Sequence, residues 1–353
     1  MRILAWPAFK AGAQNPYNRL LYRAMVESSR KLDVEDFSLK TFWSGPFDVW
    51  HIHWPQRHSA QRSLVKAFAS TAVLALLVVA ARLRRIKVVW TIHNLRAHDQ
   101  PHPKLECAFM RWFVRRIDGV VALSAGGLAQ ARRQFPMLER TSSAVIPHGH
   151  YVGTYPNAIA PHEARKMLGL EADVTVLLFA GRIHGYKNVP ALIGAFRDVS
   201  DPDVVLVIAG PPMTPALRRE IEAAADGDPR VRVHLEDVPD DRLQVYLNAA
   251  DAVVYPYRDV LNSSSALLAL SFFRPVLVPH VGALPELQAR LGEAWVRTYR
   301  GDIDTADLRC VRDEPTPADR ARLDEAFGSD LGWHDIAQQT LSFFEAVCAE
   351  AAA

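Results

Sequence analysis

Arg182 and Lys187 stand five positions apart in FAGRIHGYKN (179–188), a polar loop that follows an apolar run and precedes a helical pattern beginning near Val189. A strand end, a helix start and two cations in one place suit an organic diphosphate. The helix amides and dipole favour anionic oxygen, the guanidinium offers a planar fork and the ammonium a point charge. Two solvated surface cations is the competing reading of the same pair. Glycine placement narrows the ligand. GxxxxGK[ST] is absent, and the turn after the first apolar run reads WPAFKAGAQNPYN, without the GxGxxG spacing. A P-loop is excluded, and a nicotinamide-dependent enzyme fits poorly.

Two further clusters could carry chemistry. In YPYRDVLNSSSALLALSFFRPVLVP (255–279), Tyr257 and the polar run Asn262, Ser263, Ser264 and Ser265 precede an apolar helix. These side chains and the free amides of the helix start either cap the helix or hold a phosphate or sugar hydroxyl. In TIHNLRAHD (91–99), His93 sits at the carboxyl edge of a strand, with His98 and Asp99 on the following loop. A carboxylate or imidazole there can act as a general base. Asp99 is the first candidate, with His98 or His93 beside it, and His93 is the second; a capping Asp and a core His are the bland alternatives. His51 and His53 alternate in VWHIHW and so share a face of their strand. They are expected to line a cleft near an acceptor. No third ligand has metal spacing, so no metal site and no cofactor are expected. His148 and His150 flank Gly149 at a domain junction, where they contact a sugar or stabilise a hinge.

The elements that must position these residues alternate strand and helix twice along the 353 residues. Strands are expected at Arg2–Trp6, Val49–Trp54, Val88–His93, Gly119–Leu123 and Ala144–Ile146, then at Val174–Ala180, Val204–Ala209, Val231–Leu235, Ala252–Tyr255 and Val276–Val278. Continuous apolar strands such as VVLVIA mean parallel sheets buried on both faces. The fold class is therefore α/β, with two Rossmann-like domains: residues 1–150, residues 151–330, and a C-terminal helix over 331–353 packing back toward the first. The Pro/Gly-rich stretch 148–161 reads as the linker. Ligands of such sheets bind outside the carboxyl ends of the strands, and a cleft between two domains suits a two-substrate reaction.

Taken together, GRIHGYKN, AGPP (209–212), DVPDDRLQVYLNAADAVVYPY (237–257) and SALLALSFFRPVLVP resemble the donor domain of GT-B glycosyltransferases over roughly residues 170–290. The resemblance implies that Arg182 and Lys187 bind the donor diphosphate and that the loop Glu236–Val238, with Val238, lies near the nucleotide base. The large retaining family of this fold carries Glu-x7-Glu in this region. Counted back from Pro275, those positions are Val260 and Leu268, with Asp259 adjacent, so the departure argues for inversion. The first half adds NPYNRLLY (15–22), DVWHIHWP (48–55), TIHNLRAHD and VIPHGHYVGTYP (145–156). With these, the chain resembles bacterial exopolysaccharide β-mannosyltransferases acting on polyprenyl-diphosphate-linked oligosaccharides. That likeness implies GDP-mannose as donor and places Asn15 and Tyr17 on the acceptor side.

Charge and apolar patterning suggest where such an acceptor is met. Residues 1–150 carry 22 basic and 9 acidic side chains, and the remainder 19 and 30. The basic half is expected to face something anionic. Ala67–Ala81 is almost wholly apolar and flanked by Lys66, Arg82, Arg84, Arg85 and Lys87. It reads as a buried core helix, a helix lying in a membrane interface or, at about 15 residues, a short span. FMRWFVRR (109–116) would set Trp112 and Phe113 at headgroup level above basic residues. Scattered cysteines (107, 310, 348) indicate a reducing compartment, and Met1–Ala5 runs straight into a strand rather than a leader. The expectation is an inverting, metal-independent enzyme on the cytoplasmic face of the inner membrane, with an anionic membrane surface as partner and no nucleic acid. A UDP-glucose or UDP-N-acetylglucosamine transferase, a nucleotide-sugar epimerase of the same fold and a nucleic-acid-binding protein are the alternatives.

Overall fold

The structure, a computed structural model, describes residues 1–10, 16–97, 100–309 and 314–350. Its contacts divide the chain into one unit comprising Met1–Gly149 and Ser329–Ala353 and a second comprising His150–Gly328.

Unit 1 is built on six parallel strands: β1 (Arg2–Trp6), β2 (Asp33–Asp36), β3 (Val49–Ile52), β4 (Lys87–Ile92), β5 (Gly119–Ala122) and β6 (Ser142–Val145). They lie in the order β2-β1-β3-β4-β5-β6. The order reverses direction between β1 and β3, which is where a doubly wound sheet opens a crevice. One face of β3 is covered by the helix Tyr17–Ser28 and the helix Trp333–Ala349, which also pack on each other. The chain's last helix thus completes the core of the first unit.

The apolar segment forms a longer helix than its sequence suggested, Leu64–Leu83, with Ser63 capping the N-terminus. It is long and apolar enough to cross a membrane by length and composition, and a third of its apolar window is buried. The wholly buried reading is therefore corrected. Ala67, Thr71, Leu74, Leu77, Val78 and Ala81 pack inward, while Val65, Phe68, Leu76 and Leu83 are 64–81% exposed. A second correction concerns the helix Pro103–Phe113. Phe113 is fully buried, and Trp112 stacks on Phe109 under the Arg116 guanidinium, so this pair is not a matched headgroup anchor.

Unit 2 repeats the theme with β7 (Thr175–Ala180), β8 (Val204–Ala209), β9 (Val231–His234), β10 (Ala252–Val254), β11 (Val276–Pro279) and β12 (Val296–Tyr299). Their order, β12-β11-β10-β7-β8-β9, is the dinucleotide-fold arrangement, with its switch point between β7 and β10. Every pairing is parallel. The edge strands β2 and β12 were not expected. Their sequences, DVED and VRTY, lack the continuous apolar run of a strand covered on both faces.

Candidate functional site

The loops that leave β7 and β10 flank the switch point of unit 2, and they carry the expected donor residues. Beyond the strand ends the β7–β8 pairing continues. Gly181 N donates to Ala209 O (2.9 Å), Ile183 N to Pro211 O (2.9 Å) and Met213 N to Ile183 O (2.9 Å). The loop after β10 is tied in by Arg258 N donating to Tyr186 O (2.9 Å). Two glycines make this possible. Gly210 has φ +134°, and a Cβ there would stand 2.3 Å from Gly181 O. Gly181 has φ +126°, and a Cβ there would lie 3.5 Å from Lys187 Nζ and 3.9 Å from Ser265 Oγ. Bare backbone, an ammonium and a serine hydroxyl therefore converge at one spot. These glycines were missed as site residues; the signal was a glycine directly after each of two apolar strands.

Lys187 is 7% exposed. Its Nζ lies 5.7 Å from the Phe179 ring centroid and 6.0 Å from that of Tyr257, and among the described residues it has no carboxylate within ion-pair distance. Burial pushes its pKa down to about 8. An ammonium buried against aromatic faces without a counter-ion is poised to take an anion. Arg182 is more open and lies 3.5 Å from Asp237 on the loop after β9. That loop also carries half-buried Val238.

The polar run ahead of the helix Ser264–Ser271 divides. Ser263 is the N-cap, its Oγ accepting from Ala266 N at 3.1 Å and donating to the Tyr257 hydroxyl at 3.4 Å. Asn262, Ser264 and Ser265 are half-buried. Tyr257 is 4% exposed, with its ring centroid 6.0 Å from Lys187 Nζ, and it lines a pocket together with Asn188, Arg258 and His280. Val260 and Leu268, at the positions of the two glutamates of the retaining pattern, are half-buried, and the adjacent Asp259 is exposed.

In unit 1 several expectations are corrected. His51 and His53 are fully buried and line no open surface. Their shared face is correct, but Tyr22 and Phe344 cover it. Burial pushes His51 down to about 3 and His53 well below the usual range. Tyr17, 2% exposed, packs against His53, His93, His148 and Trp333 as an aromatic hub rather than an acceptor contact. His93 follows β4 at 7% exposure, stacked on Trp54 at 4.5 Å, with its pKa lowered strongly by burial and then by His148. His148 belongs to unit 1 and donates from Nδ1 to Gly149 O (2.8 Å). His150 belongs to unit 2, where Phe327 packs on it and Val152 N donates to its Nδ1 (3.1 Å). Asn15, His98 and Asp99 lie outside the described residues. No group of three or more potential metal ligands occurs among the described residues.

Comparison with known proteins gives the family and the fold. The family model described as glycosyl transferases group 1 matches residues 174–302. A curated relative, GDP-mannose:glycolipid 4-β-D-mannosyltransferase of Xanthomonas campestris pv. campestris, is 31% identical over 327 residues, 92% of this chain and 86% of the relative. The chain belongs to this glycosyltransferase family. Among solved structures, sucrose-phosphate synthase from Thermosynechococcus elongatus aligns over 100% of this chain and 97% of its own, at TM-score 0.62 and 18% identity. The Anabaena HepE protein in complex with UDP and glucose aligns over 100% and 99%, at TM-score 0.59 and 15% identity. These likenesses give the glycosyltransferase its GT-B fold. The family match covers β7 to β12, so Arg182, Lys187 and the paired glycines all lie on the matched segment.

Proposed function

We propose that this glycosyltransferase moves mannose from GDP-mannose, with inversion, onto a polyprenyl-diphosphate-linked oligosaccharide in exopolysaccharide assembly. The observation that carries the reading is Lys187, a buried ammonium without an acidic partner among the described residues, beside the bare backbone of Gly181. Arg182, Lys187 and the amides of the helix Ser264–Ser271 hold the donor diphosphate and stabilise the charge that grows on it as the glycosidic bond to phosphate breaks. An acceptor hydroxyl attacks the opposite face of the anomeric carbon, its proton taken by a general base of unit 1. Asp99 is the first candidate and His93 the second. Valine and leucine at 260 and 268 favour inversion, because the anchoring carboxylates of the retaining pattern are missing. GDP-mannose and a glycolipid acceptor are favoured by the name of the 31%-identical relative.

The acceptor's lipid is met at the cytoplasmic face of the inner membrane, with the exposed apolar face of Leu64–Leu83 in the interface and its basic neighbours on anionic headgroups. Labelled GDP-mannose, UDP-glucose and UDP-N-acetylglucosamine, each offered with a lipid-linked acceptor and with EDTA present, test the reaction. A β-linked mannosyl product from GDP-mannose is expected. Preference for a UDP sugar, or an α-linked product, overturns the reading.

A further inference from the structure

Among the described residues Glu106 is the one buried carboxylate, at 5% exposure, and the proposed reaction leaves it unused. It stands in the first turn of the helix Pro103–Phe113, which carries the chain from β4 to β5. A crossover helix starts at the carboxyl edge of its sheet, so Glu106 lies on the side of unit 1 where doubly wound folds take ligands. Its Oε1 accepts from Ala97 N at 2.9 Å. Among the described residues no cation stands within ion-pair distance of it, and Oε2 has no hydrogen-bond partner. Burial raises its pKa, against the Ala97 amide and the charge of Arg96, which lower it.

The amide that Glu106 holds belongs to the loop leaving β4. A second element reaches the same loop. Gln56, 2% exposed on the 3-10 helix Pro55–His58, donates from Nε2 to Asn94 O at a long 3.4 Å. Between the two ties Leu95 is buried and Arg96 is exposed. The stretch Asn94–Ala97 is thus held at both ends by side chains from outside it, and in sequence it joins His93 to Asp99. Irregular surface backbone is otherwise among the first parts of a fold to open. A carboxylate grips an amide more strongly than a neutral acceptor does. Burying that carboxylate without a cation works against stability, however. A residue kept under those terms, at the ligand edge of its sheet, points to a role in function.

We propose that Glu106 is a positioning residue for glycosyl transfer: its buried carboxylate holds the Ala97 amide and so presets the backbone of the β4 exit, the segment that carries the acceptor-activating base. The proposal rests on the reading of unit 1 as the acceptor-activating unit, and it holds for either candidate base. Presetting a loop acts on the alignment of the reacting groups and not on the grip on either substrate, so its loss falls on kcat.

Residue-resolved amide hydrogen exchange of the full-length protein at neutral pH tests the grip without turnover. The Ala97 amide is expected to be protected in the wild type and to exchange about tenfold faster or more in Glu106→Ala. Glu106→Gln removes the charge but keeps an oxygen that can accept, so Ala97 should stay protected there. In transfer assays Glu106→Ala is expected to lower kcat about tenfold or more, with both KM values within about twofold, and Glu106→Gln to stay within about threefold of the wild type. An unprotected Ala97 amide in the wild type, or wild-type kcat in Glu106→Ala, overturns the proposal. So does a Glu106→Gln enzyme as slow as Glu106→Ala with Ala97 still protected, because the carboxylate would then be taking the proton itself. If Glu106→Ala does not fold, Glu106→Asp, which withdraws the oxygen by one methylene, takes its place with the same expectations. Preference for another donor in the panel would overturn the reading of the substrate, while the exchange result and the kcat comparison, run on that donor, would stand.

Discussion

At the scale of the residue, Lys187 makes a prediction about stability as well as about binding. Its folded pKa, about 8, lies below the unfolded value near 10.5 because burial disfavours the charged form. Below pH 8 the ammonium is charged in both states, and burying it costs about 3 kcal/mol. Between pH 8 and 10.5 the unfolded chain binds more protons than the folded one, so this penalty fades as pH rises. Lys187→Met is therefore expected to raise the thermal midpoint at pH 7 by several degrees, to lose that advantage by pH 10, and to abolish GDP binding at both. A lower midpoint at pH 7 would mean that the ammonium has a counter-ion. Arg182→Ala, at an open site, is expected to lose transfer with little change in stability. That both cations lie on the segment leaving β7 was readable from their position after an apolar strand. The burial of His51 and His53 was not. Alternation fixes which face a strand residue takes, but that face is closed by Tyr22 and Phe344, which lie in helices near opposite ends of the sequence.

At the scale of the element, strands buried on both faces announced themselves as apolar runs, while the polar edge strands β2 and β12 did not. Also hidden was the zipping of the β7 and β8 exits, because backbone-to-backbone distance has no side-chain signature beyond a glycine. Gly210→Ala tests that contact. The new methyl would meet Gly181 O at 2.3 Å on a backbone at φ +134°, so the two exits must part. The expected loss is on the order of 3 kcal/mol in unit 2, together with weaker GDP binding as Gly181 moves relative to Lys187. Gly194→Ala is the control. It lies inside the helix Val189–Arg197 with open space around it, and it should stabilise by about 0.5–1 kcal/mol and leave GDP binding intact. Equal behaviour of the two variants in denaturant unfolding and GDP titration would contradict the argument.

At the scale of the whole molecule, the contact-defined division narrows the charge asymmetry read from sequence without removing it. Unit 1, with the C-terminal helix included, holds 22 basic and 13 acidic side chains, and unit 2 holds 19 and 26. The helix Leu64–Leu83 is apolar on both faces, a pattern that in water alone would leave the outer face unsatisfied. An apolar term and a charge term predict different responses. Vesicle sedimentation should show binding to bilayers rich in anionic lipid and weaker binding to zwitterionic ones. Raising salt from 0.1 M toward 1 M shortens the screening length from about 10 to 3 Å, so it should weaken binding without eliminating it. Phe68→Ser combined with Leu76→Ser removes two exposed side chains that belong to neither the core of unit 1 nor the donor site. It should abolish the salt-resistant fraction and slow transfer to lipid-linked acceptor, while GDP binding and the thermal midpoint hold. If the double variant still sediments with vesicles at high salt, the outer face of this helix is not what meets the membrane.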